Sequence, residues 1–93
     1  MDTVQIDGNC LEAVTFATQH TKILVISAAH GLLGCGYVSV DTAAKVGDAL
    51  AVVSGVSNYD DMLQAAVKAV SPAAEALGVR PGMTGREALA KML

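Results

Sequence analysis

Ninety-three residues with nine acidic and six basic side chains give a formal net charge of −3, with no cluster of either sign. No basic stripe is present to neutralise phosphates, and Phe16, Tyr37 and Tyr59 are too few and too scattered to stack bases, so no nucleic acid is expected as a partner. The length fits one domain, 1–93, yet 53% of the residues are apolar and the mean hydropathy is +0.48, more apolar material than one small core hides, which predicts a homo-oligomer.

Thr3 to Ile6 alternates polar and apolar residues as a half-buried strand does. Asp7-Gly8-Asn9 supplies a turn, and Cys10 to Thr18 reads as the returning strand of a hairpin. Leu11, Ala13, Thr15 and Ala17 share one face of that strand; Cys10, Glu12, Val14 and Phe16 share the other. The faces are mixed, so the buried side is open. Ile23-Leu24-Val25-Ile26 is continuously apolar, the mark of a strand buried on both faces. Ala29-His30-Gly31 turns the chain into a further strand from Leu33 to Val40, in which Gly34 and Gly36 flank Cys35. Glycine weakens a strand, so this pair marks a bulge or a close approach by a backbone or a ligand. The uncharged run from Ile23 to Val40 has the length of a membrane span, but His30, two serines and three glycines divide it into two strands, and no membrane partner is expected.

Asp41 predicts the cap of a short helix to Val46, ended by Gly47, and Ala49 to Val53 reads as a fifth strand. Ser57 or Asn58 caps a better-marked helix whose buried face carries Tyr59, Met62, Leu63, Ala66, Val67 and Val70. Ser71-Pro72 opens another, closed by Gly78. Thr84 and Glu87 form a capping box ahead of Ala88, Leu89 and Met92. Strands lead and helices follow, which predicts an α+β fold: an antiparallel or mixed β-sheet from an N-terminal β-rich region, packed with short C-terminal helices.

Cys35 and His30 are the candidate catalytic residues, because they lie on either side of one turn and an imidazole beside a thiol raises its thiolate fraction. The plainer reading is that Cys35 is a small buried hydrophobe and His30 a turn residue. Glycines at 31, 34 and 36 suggest one concave site containing both, so His30, Gly31, Cys35 and Gly36 are candidate binding residues for a small-molecule ligand. Arg86 joins them, since Gly82-Met83-Thr84-Gly85-Arg86 sets a guanidinium and backbone amides at a helix start. The competing account there is simply a well-capped helix. Cys10, His20, His30 and Cys35 have no metal-ligand spacing, so neither metal nor cofactor is expected. Asp60 and Asp61 project about 100° apart on a helix and do not converge. Met1-Asp2-Thr3 shows no basic region ahead of an apolar run, so the expected compartment is the cytoplasm, with Cys10 and Cys35 as free thiols.

His30-Gly31, Cys35-Gly36, Asp41, Gly55-Val56, Asp61-Met62-Leu63 and the run from Gly78 to Leu89, with Gly-Met-Thr-Gly-Arg-Glu-Ala-Leu as its most specific part, resemble the YunC-like family. These are small bacterial and archaeal proteins built around a domain of unknown function. The resemblance implies an α+β fold whose N-terminal β-rich region mediates tetramer formation, and it brings no established activity, substrate or cofactor. Two functional readings follow: a non-catalytic or small-ligand-binding oligomeric module, or an enzyme using a Cys35 thiolate with His30 as base.

Overall fold

The computed structural model describes residues 1–93 as six strands and four short helices: β1 (Asp2–Ile6), β2 (Asn9–Ala17), β3 (Lys22–Ala28), β4 (Gly31–Gly34), α1 (Val40–Val46), β5 (Leu50–Val52), α2 (Tyr59–Gln64), β6 (Ala69–Val70), α3 (Pro72–Ala76) and α4 (Gly85–Ala90). The strands form one sheet in sequence order. Only β4 and β5 pair in parallel, joined through α1, and every other pair is antiparallel, so the sheet is mixed and the fold is α+β. The β1–β2 hairpin turns through Asp7 and Gly8, both at positive φ.

Alternation sorts each strand into two faces. On the inner face Val4, Ile6, Leu11, Ala13, Leu24, Ile26, Leu33 and Ala51 are buried. There they meet Met62 and Leu63 of α2, Ala74 of α3, and Ala88 and Leu89 of α4 in one core cluster. α4 approaches closely because its first residue is Gly85; a Cβ at that position would collide with the Met62 carbonyl and with Leu33. On the outer face a smaller cluster joins Ala43 of α1 to Leu50 and Val52, with Leu32, Val38 and Val40 against it.

The helix covering the outer face ends at β4. The four apolar residues of β3 are therefore not buried on both faces: Leu24 and Ile26 are buried, whereas Ile23 and Val25, on the outer side, are half-buried. Beside them on β2, Val14 is 40% and Phe16 67% exposed. The register pairs Val14 with Val25 and Phe16 with Ile23, which makes a contiguous apolar surface.

Three boundaries differ from expectation. β4 stops at Gly34, not Val40, because the Val38 N–H donates to the Cys35 carbonyl and closes a turn. Ser39, not Asp41, caps α1, accepting from the Thr42 N–H at 3.1 Å; Asp41 sits in the first turn, where the helix dipole favours it, and Gly47 ends the helix at φ 84°. α2 ends at Gln64 although the apolar period runs on to Val70. Backbone pairing outcompetes helix there: Val67 exchanges bonds with Met83 and Gly82, and the Lys68 N–H donates to the Val52 carbonyl.

The remaining helix starts are as expected. Asn58 caps α2, and Thr84 and Glu87 make both bonds of a capping box at α4. Ser71 caps α3 and does more. Fully buried, its Oγ accepts from the Leu50 N–H at 2.9 Å and the Ala74 N–H at 3.4 Å, and donates to the Asp48 carbonyl at 2.7 Å. Ser71→Ala would leave a buried strand N–H without an acceptor, a loss of about 2–3 kcal/mol, whereas Thr84→Ala removes an exposed cap worth about 1 kcal/mol. Urea denaturation of the two variants should rank them in that order; equal midpoints would mean that Ser71 acts only as a cap.

Candidate functional site

His30 and Cys35 lie at opposite ends of β4, a separation of roughly 15 Å along an extended chain. The His30 backbone N–H donates to the Met92 carbonyl at 2.8 Å, and its side chain is exposed beside a cavity of about 330 Å³ that Gly31, Gly47 and Asp48 also line. Cys35 is buried, 5% exposed, and its Sγ accepts from the Leu24 N–H at 3.3 Å. The chain does not bring thiol and imidazole together.

The glycines around them divide in the same way. A Cβ on Gly31 would strike Met92 and the Ala49 carbonyl, and one on Gly34 would stand 2.8 Å from Val38. Those two are glycines of packing, approached by this chain's own atoms. Gly36 differs: its φ lies outside the left-handed region, and nothing stands within 4 Å of where its Cβ would be. Neither backbone conformation nor packing calls for glycine there.

Gly36 lines a crevice of about 350 Å³ with Cys35, Tyr37, Ser54, Gly55, Val56, Thr21 and Lys22. Its walls are the segments that follow the parallel strands β4 and β5, closed by the start of β3. The two connections leave on opposite sides of the sheet, β4 toward α1 on the outer face and β5 toward α2 on the inner face. Such a divergence at the carboxyl ends of adjacent parallel strands opens a crevice by geometry alone, and it is the usual ligand position in open α/β sheets. Of the candidate residues, the structure gathers Cys35 and Gly36 here and leaves His30, Gly31 and Arg86 elsewhere. Lys22 and Ser54 carried no motif, and Gly55 only its part in the family resemblance; the parallel pairing, unseen in the sequence, is what places all three in one crevice.

Arg86 is exposed on α4. Around it the Gly85 N–H donates to the Ala65 carbonyl, the Glu87 N–H to Thr84 Oγ1, and the Thr84 N–H to Glu87 Oε1 at 3.0 Å. Three of the amides that would have cradled an anion, those of Thr84, Gly85 and Glu87, are occupied. The backbone N–H of Thr84, with further help from its side chain, also holds the Glu87 carboxyl below its ordinary range. Cys10 is exposed on the outer face of β2, and both cysteines are free.

A second polar cluster had no signature in the sequence. Tyr59, at the start of α2, donates to Asp2 Oδ2 at 2.6 Å and accepts from Thr15 Oγ1 at 2.8 Å, tying the helix to β1 and β2. Partial burial, followed by the bond to Asp2, raises the phenol pKa above its ordinary value of 10.0.

The fold and the crevice together define a small α+β domain with helices on both sheet faces and a pocket at one topological switch. A domain of unknown function, DUF1805, matches residues 34–92, from the last residue of β4 to near the end of the chain. The uncharacterised protein YunC of Bacillus subtilis (strain 168) is 34% identical over 94 residues, covering 97% of this chain and 93% of the relative. The crystal structure of TA1206, a protein of unknown function from Thermoplasma acidophilum, superposes with a TM-score of 0.93 at 33% identity, covering 99% of this chain and 90% of that one. The chain belongs to the DUF1805 family of YunC-like proteins.

Two measurements test this geometry. Iodoacetamide near neutral pH should label exposed Cys10 in the native protein and Cys35 only on unfolding, as peptide mass spectrometry would report. Fast native labelling of Cys35 would restore it as a nucleophile. The Tyr59 contribution to stability should be complete below pH 10 and fall as pH rises through the raised folded pKa, because the folded state holds the neutral phenol. Tyr59→Phe should flatten the alkaline limb of the stability curve; an unaltered limb would remove Tyr59 from the account.

Proposed function

We propose that this protein is a non-catalytic, self-associating module that binds a small ligand, with tetramers formed through its N-terminal β region. The observation that carries self-association is the uncovered outer face of β2 and β3. Its sequence is that of a strand buried on both sides, and the monomer's helices cover only one. Val14, Phe16, Ile23 and Val25 are adjacent there by register. Soluble chains seldom expose such a surface unless a partner covers it. A second copy is the partner that needs no further component, since a two-fold axis lets the same apolar patch serve both sides. The free edge of β1 supplies a second contact, through which dimers pair into a tetramer.

The enzyme reading needs a Cys35 thiolate with His30 as base, and the two stand at opposite ends of β4 with Cys35 buried. Ligand binding without chemistry is therefore the better reading of the crevice, and the compartment proposed for it is the cytoplasm. No helix is long and apolar enough to cross a membrane.

Sedimentation equilibrium at micromolar concentration should return a multiple of the 9.4 kDa chain mass, four-fold for the tetramer. Phe16→Asp, which alters only an exposed side chain of the monomer, should reduce the mass while leaving the circular dichroism spectrum unchanged. A wild-type species at the chain mass, or an unaltered mass in the variant, would exclude this surface as an interface.

A further inference from the structure

We infer that the crevice at the carboxyl ends of β4 and β5 takes a small organic anion, a carboxylate, held by the Lys22 ammonium and the backbone amides of the two flanking loops. The inference rests on the crevice being a ligand site and adds the chemistry of the ligand.

Three independent features point the same way. The first is charge. Lys22 is the single charged residue lining the crevice, and no carboxylate lines it, although acids outnumber bases in the chain by nine to six. An adjoining cavity of about 370 Å³ shares Thr21, Lys22 and Val56, adds His20, and again has no acid in its lining. The Asp61 carboxylate, on the adjoining helix α2, accepts from the Ser57 N–H at 3.0 Å. Lys22 Nζ has one long bond, 3.4 Å to the Ser57 carbonyl, and an ammonium carries three donors.

The second is the state of the backbone. No hydrogen bond within the chain uses the N–H groups of Gly36, Tyr37, Ser54, Gly55 or Val56, while the residues just before them, Cys35 and Val53, donate to Leu24 and Gly34. Five amides without a partner in the chain thus belong to residues that line the crevice, together with the Ser54 hydroxyl, one cation and no carboxylate. The third is Gly36, where a side chain would fit and none is present, which leaves bare backbone facing the cavity. Cys35, Tyr37 and Val56 add an apolar wall, which suits the carbon skeleton of an organic acid. A volume of about 350 Å³ limits the ligand to a small molecule.

The test is an amide chemical-shift titration of the full chain with pyruvate, with its neutral analogue pyruvamide and with inorganic phosphate. Pyruvate should move the Gly36, Tyr37, Gly55 and Val56 amides to saturation with a Kd in the millimolar range expected for so few atoms. Lys22→Gln should weaken binding about tenfold or more, as loss of a charge-assisted bond does. Gly36→Val should weaken it without lowering the thermal midpoint, because the added side chain enters open space. Equal binding of pyruvamide would overturn the anion while leaving the ligand site in place. Saturation by phosphate and not by pyruvate would overturn the carboxylate. No saturable shift with any of the three would overturn both the inference and the ligand reading beneath it.

Discussion

The pairing of Leu32, Leu33 and Gly34 with Leu50, Ala51 and Val52 is the constraint on which the rest of the molecule depends. Parallel strands cannot be joined by a tight turn; the chain must cross over, and here it does so through α1. That crossover puts the only helix on the outer face and sets how far the cover extends. Leu32, Leu50 and Val52 are sheltered by Ala43, Val38 and Val40, and beyond β4 the outer face is bare. The same pairing aligns the carboxyl ends of β4 and β5, so the chain must leave from adjacent points in opposite directions. An uncovered apolar face and a polar crevice thus have one topological origin.

Helices of five to seven residues are too short to be stable alone, so each must be held by its cap and by what it packs against. Side chains at the helix starts are accordingly shared with the sheet. Ser71 caps α3 while completing the hydrogen bonding of β5, and Tyr59 opens α2 while bonding across to β1 and β2. Gly85 brings α4 against the Met62 carbonyl and so brings Leu89 into the core. The inner layer is fixed through these few contacts, and none of them involves the crevice residues.

What was legible in the sequence was whatever depends on neighbours along the chain. The hairpin at Asp7-Gly8, the Ser71 cap, the Thr84–Glu87 box and the class of fold all rest on local spacing and stand as read, and of Ser57 and Asn58 the structure selects Asn58 as the cap of α2. Asp41 reads as the cap of α1, but Ser39, two residues earlier, is equally suited to cap and takes that place in the structure. The helix period from Tyr59 to Val70 misleads because backbone pairing places buried Val67 and half-buried Val70, and such short pairings do not announce themselves in sequence. The parallel register of β4 and β5 was invisible, and with it the place of Lys22 and Gly55. Cys35 and His30 were drawn together by sequence distance, whereas an extended strand keeps residues five apart at its two ends.

The three glycines of the segment show why sequence alone could not separate packing from opening. Gly31, Gly34 and Gly36 present the same letter at nearly the same spacing, and each loses the same packing and adds the same chain entropy. At Gly31 that loss is offset by Met92 and Ala49 closing against the backbone, and at Gly34 by Val38. These two belong to the core, and the close approach that glycine allows is made by the protein itself. At Gly36 nothing in the chain makes the approach, and the exposed backbone sits beside unused amides and a lone cation. A cost that the fold does not recover must be recovered elsewhere or be neutral. The charge and donor pattern around Gly36 supplies the place where a ligand would recover it.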